Sequence, residues 1–140
     1  MKRWPAAPAA RVFLFLAAIL ASASGCGDST GPARYPISGH VNFNGQPVPG
    51  GFIYFTPDTT QGGSGPAAGA PIHDGTYATP AGQGTVGGPH IVTIVGHDGV
   101  SFESAEGRVE AGRGLFPAYE LHIDLPKASS TQDFDVPSTP

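Results

Sequence analysis

The chain holds a single cysteine, Cys26, so no internal disulfide can form and a disulfide-stapled scaffold is excluded. No apolar run reaches the roughly 20 residues that a membrane-spanning helix needs. The longest, residues 12–23 (VFLFLAAILASA), has 12. Charged residues are sparse, at 13% of the 140-residue chain, and a 3.6-residue hydrophobic period is missing after the first 25 residues. No internal repeat is present. The motifs of common chemistries are missing too. There is no Gly-x-Ser-x-Gly elbow for a nucleophilic serine, no Asp-x-Asp-x-Asp-Gly calcium loop and no His-x-His pair. Gly82 and Gly84 sit two apart, but no Lys-Ser/Thr pair or helix start follows to cradle a phosphate.

Glycine and proline, by contrast, are abundant: 21 and 15 residues, about a quarter of the chain and near the level at which disorder becomes a concern. Here they fall between short alternating apolar runs, where turns are needed. That distribution predicts one all-β domain.

The first 25 residues read as a separate object. Lys2, Arg3 and Arg11 form a basic region ahead of the 12-residue apolar run, which has the length of a signal-peptide core. Small residues, Ala23-Ser24-Gly25, then lead straight into Cys26. This arrangement resembles the bacterial lipoprotein signal, although Ala23 stands where leucine is usual. The resemblance implies cleavage between Gly25 and Cys26, lipidation of Cys26 (a palmitate among the acyl chains) and export to a bacterial cell envelope. Gly27 after the cysteine, where aspartate is absent, points by the same resemblance to the outer membrane. Ordinary secretory cleavage near the same place and an uncleaved anchor are the competing readings. After cleavage the chain keeps 4 basic and all 11 acidic residues, a net charge of −7. Such a domain has no electrostatic footprint for nucleic acid or for anionic lipid. Membrane attachment would rest on the acyl chains. The tether, residues 27–34, reaches less than about 30 Å even when extended, which keeps the domain close to the membrane surface.

The mature chain opens with its clearest pattern. In residues 37–43, Ile37, Val41 and Phe43 share one face, and Ser38, His40 and Asn42 the other. That period of two marks a half-buried strand. Asn44-Gly45 supplies a tight turn, and residues 52–55 (FIYF) are expected to return as the second arm of the hairpin. Residues 58–69 read as a low-complexity linker, and Asp74-Gly75 as a second hairpin turn between residues 70–72 and 76–77. Residues 90–97 (HIVTIVGH) are apolar on both faces and predict a central strand. Residues 100–113 read as an exposed loop or ragged edge strand. Residues 119–125 alternate, with Tyr119, Leu121, Ile123 and Leu125 inward, and residues 133–136 make a short edge strand whose Asp133 and Asp135 point out. About seven strands result, the scale of a two-sheet sandwich.

Several of these stretches resemble carboxypeptidase regulatory-like domains, a branch of the transthyretin-like β-sandwiches. The matching residues are Ser38-Gly39-His40-Val41, the Gly45-Gln46-Pro47-Val48-Pro49-Gly50 turn and Asp74-Gly75-Thr76-Tyr77. The whole layout is similar to the small lipoproteins of planctomycete bacteria, through Gly87-Gly88-Pro89-His90, Leu115-Phe116-Pro117 and the Gln132-to-Pro137 ending. The resemblance implies a Greek-key β-sandwich over residues 35–137, between a tethered cysteine (26–34, after a signal peptide at 1–25) and a tail at 138–140. It supplies no activity, since a fold hosts many.

The chemistry available to the domain is limited. The five histidines read as separate surface residues, with His90 and His97 on opposite faces of one strand. Calcium at Glu103, Glu106 and Glu110, or near Asp98-Gly99, lacks the required loop spacing. Transthyretin-related hydroxyisourate hydrolases end in Tyr-Arg-Gly-Ser, which this chain replaces with Val136-Pro137-Ser138-Thr139-Pro140. Phe43, Tyr119 and Phe134 read as core, and Tyr54 and Tyr77 as aromatics able to stack on a sugar. The expectation is therefore a lipid-anchored, non-catalytic domain without cofactor or metal. It binds a protein or an envelope polymer at the membrane surface; a small-ligand or glycan-binding module is the alternative, and a hydrolase the remote one.

Overall fold

The computed structural model describes residues 31–138; the expected signal segment, cleavage between Gly25 and Cys26 and lipidation of Cys26 lie outside them. The fold is all-β, and among the described residues no helix is long and apolar enough to cross a membrane. Eleven strands follow in chain order: β1 (Ile37–Phe43), β2 (Gln46–Pro47), β3 (Gly50–Pro57), β4 (Ala68–His73), β5 (Thr76–Ala78), β6 (Gly88–His97), β7 (Phe102–Ser104), β8 (Gly107–Val109), β9 (Tyr119–Leu125), β10 (Ser130–Thr131) and β11 (Phe134–Val136). Each of the seven expected runs carries a strand. The four additional ones (β2, β7, β8 and β10) are two or three residues long, too short to leave a period in the sequence.

Both two-residue turns form as their chemistry predicts. Asn44-Gly45 (φ 53° and 73°) and Asp74-Gly75 (φ 48° and 74°) occupy the left-handed region that a tight hairpin requires. The first hairpin, however, has a different second arm from the one expected. β1 pairs with β2 and β5, while residues 52–55 belong to β3, which pairs with β4 and β6. The chain turns a corner at Val48 and Pro49. Val48 is fully buried, its N–H donates to Val41 and its carbonyl accepts from Gly75, while the Pro49 carbonyl accepts from Asp74. The Val48 N–H makes the last bond to β1, and the carbonyls of Val48 and Pro49 turn to Gly75 and Asp74 instead, so the chain leaves β1 at this corner.

The main sheet runs β10-β1-β5-β4-β3-β6-β9, with β11 continuing beside β1 past β10. β10 and β11 hold one parallel register against β1, from Ile37 opposite Ser130 to Phe43 opposite Val136. Four strand steps separate β3 from β11, about 19 Å across a flat sheet. Yet the rings of Phe55 and Phe134 lie only 6.4 Å apart, with Tyr77 5.9 Å from Phe55 and 6.2 Å from Phe134. The sheet therefore curls until its halves face one another, as in a β-sandwich. Ile37, Val41, Ile53, Phe55, Ile72, Val92 and Ile94 fill the space between, each at most 1% exposed. β6 is interior, as expected, between β3 and β9. Residues 100–113 are mostly exposed, and within them β7 and β8 form a two-stranded hairpin separate from the main sheet.

Candidate functional site

Where β3 ends, Asp58 is followed by a single 3-10 turn, Thr59–Gln61, and the Asp58 side chain holds that turn together. Its Oδ1 accepts from the Thr60 N–H (3.0 Å) and hydroxyl (2.6 Å), and its Oδ2 from Gln61 Nε2 (2.9 Å). His122, on β9, completes the set, with Nδ1 2.8 Å from Oδ2. The linker reading of residues 58–69 thus fails for its first turn, which is docked by a carboxylate only 1% exposed. The Thr60 hydroxyl bond is the main cause holding the Asp58 carboxyl down at about 2; burial opposes it, and His122, Gln61 and the Thr60 N–H add to the lowering.

The acid response follows from that shift. A carboxyl whose folded value lies below its ordinary 3.8 stabilises the fold above that value and loses the contribution as pH falls towards about 2. Asp58→Asn is therefore expected to flatten the fall in thermal midpoint between about pH 4 and pH 2, while lowering the midpoint at pH 7. Paired melting curves across that range check it. An unchanged acid limb would show that Asp58 does not carry the response.

The same contacts orient His122. Its proton is assigned to Nδ1 by the carboxylate partner, which leaves Nε2 on the outer side of a ring that is 62% exposed. Gln61, Pro89, Ile123 and Asp124 line a shallow recess of about 160 Å³ beside it. The arrangement presents an oriented imidazole, able to take a hydrogen bond. Among the described residues, no group of three His, Cys, Asp or Glu is gathered for a metal. Glu103 and Glu110 instead flank Arg108, at 3.5 Å and 2.7 Å, and the Asp98 carboxylate accepts from the N–H groups of Val100 and Arg113.

Two surface expectations are corrected. His90 is buried at 1% exposure, since it shares the inward face of β6 with Val92 and Ile94. Its Nδ1 lies 2.9 Å from the Gly88 carbonyl. Tyr77 is also buried; its hydroxyl donates to the Gln132 carbonyl at 2.7 Å, and burial, aided by the Asp133 charge, pushes its pKa well up. Tyr77 cannot stack on a sugar.

Tyr54 can. It is 46% exposed on the outer face of β3, and its ring lies 4.6 Å from that of Phe52. Gly69, opposite Tyr54 on β4, leaves room for the Phe52 ring: a Cβ there would come within 2.7 Å of it. Arg34 and Gln83 border the recess beside the two rings, and Arg34 is fixed by a 2.6 Å bond to the Ala67 carbonyl. Two features of the sheet's outer face are thus built: an aromatic pair on β3 and an oriented histidine on β9. No family model matches the chain, nor does any curated protein or solved structure.

Proposed function

We propose that this chain is an exported, lipid-anchored and non-catalytic binding domain. In this reading, residues 1–25 are removed, Cys26 carries the acyl chains, and the domain holds a protein or an envelope polymer at a bacterial membrane surface. Membership in the planctomycete lipoproteins with a carboxypeptidase regulatory-like domain belongs to the same proposal. The observation that carries it is the outer face of β3, β6 and β9. There Tyr54 is exposed and Phe52, Ile91 and Val95 are half-buried, next to the polar Thr93, Glu120 and His122. A mixed apolar and polar face of this kind suits recognition.

The anchor is tested by Cys26→Ser in cells. The variant is expected to move from the membrane fraction to the aqueous fraction, because two or more acyl chains are needed for stable anchoring. Retention at wild-type levels would refute lipidation. A second reading, a glycan-binding module, is favoured by one observation, the Phe52–Tyr54 pair bordered by Arg34 and Gln83. Stacked aromatics with polar groups at their rim fit a sugar ring. Uniform silence of the full chain on a glycan array would dismiss it.

A further inference from the structure

β9 ends the strand order. It pairs with β6 on one side, and among the described residues no strand pairs with its other side. Which of its backbone groups are left over follows from alternation along β6. The Pro89 carbonyl accepts from Asp58, so the odd-numbered residues of β6 face β3. The Gly96 carbonyl accepts from Leu115 and the Asp98 N–H donates to Arg113, so the even-numbered positions face the other way, toward β9. Register then sets Ile94, Val92 and His90 opposite Tyr119, Leu121 and Ile123 as hydrogen-bonded pairs. The N–H and carbonyl groups of Glu120, His122 and Asp124 consequently face the open edge.

This edge is seven residues long, with no proline, glycine or lysine within it, and its protection rests on acidic side chains alone. Tyr119, Leu121 and Ile123 point toward the core yet stay half-buried, so an added strand would extend their cover. On the opposite face stand the exposed Glu120, His122 and Asp124. Those charges discriminate between occupants. A second copy paired antiparallel along the whole strand, centred on His122, would set Glu120 against the copy's Asp124, like charge against like. A strand with cations in those places meets the opposite sign, on a mature chain of net charge −7.

We propose that the β9 edge is a docking site for an extended, cationic polypeptide segment, which adds as a further strand by main-chain hydrogen bonding. The partner's basic residues lie four positions apart, opposite Glu120 and Asp124, and a small polar residue faces His122. Its alternate residues are apolar and continue the row of Tyr119, Leu121 and Ile123. This names the partner class within the binding role proposed above. It stands apart from the anchor, whose own failure would show as membrane retention of Cys26→Ser.

The test uses the full chain in detergent and the end-blocked peptide Val-Lys-Val-Thr-Val-Lys-Val, with a glutamate-for-lysine counterpart as control. Amide hydrogen exchange is read residue by residue. The lysine peptide is expected to slow exchange at Glu120, His122 and Asp124, and the counterpart to leave it unchanged. In Glu120→Gln/Asp124→Asn, which keeps the shape of both side chains, affinity for the lysine peptide should fall roughly tenfold at low salt, as expected for two exposed ion pairs. Equal binding of the two peptides, or protection only on another edge, would overturn the proposal. So would slow exchange at the three amides without peptide, showing that a second copy or the chain's own terminus already occupies the edge.

Discussion

Replacing Phe55 with alanine is expected to cost about 3–5 kcal/mol of stability, the largest effect of any single side chain here. Phe55 is fully buried, and its ring lies against Tyr77 of β5 and Phe134 of β11. These contacts are what bring the middle of the sheet onto its far end, so the cavity opens at the junction of the two halves. Neighbouring side chains cannot collapse into it easily, because Ile53 and Ile94 are already packed in strand interiors. Urea denaturation of variant and wild type measures the change. A loss under about 1 kcal/mol, the usual size for a surface change, would mean that the three rings do not hold the curl together.

Gly39→Ala is expected to be nearly as damaging, at about 3–5 kcal/mol, from two additive sources. A Cβ at residue 39 would fall on the Gln132 carbonyl oxygen, which is backbone and cannot swing away. That carbonyl also accepts the buried Tyr77 hydroxyl, so pushing it aside leaves a buried donor unpaired. The adjacent His40 N–H, held by the Asp133 carboxylate at 2.8 Å, would be strained by the same movement. Gly50→Ala is the control: nothing lies within 4 Å of a Cβ there, and its effect should stay within about 0.5 kcal/mol. Equal losses at the two positions would show that the close approach of Gly39 to Gln132 is not the cause.

These two residues also mark what a linear reading can and cannot reach. Period-two alternation located β1 and β9, and the Asn44-Gly45 and Asp74-Gly75 pairs located their turns, because both signals are local. Strand partnership is not local. Residues 52–55 follow a perfect turn, yet the buried corner at Val48 sends them to β4 and β6. In FIYF both faces are apolar, so alternation alone could not choose Ile53 and Phe55 as the inward pair over Phe52 and Tyr54. His90 keeps the parity of Val92 and Ile94, a local signal that assigns it to the core. The Asp58–His122 contact spans 64 positions, and only the folded sheet brings the pair together.

The proposed binding role at the membrane is tested most directly by in-cell cross-linking. A photoreactive residue is placed at Tyr54, on the outer face of β3, or at Thr131, exposed on β10 at the other end of the strand order. The expected result is one dominant adduct from the Tyr54 position in the membrane fraction, lost when Cys26 is also changed to serine, and none from Thr131. The same set of adducts from both positions, or no adduct from either, would contradict the account.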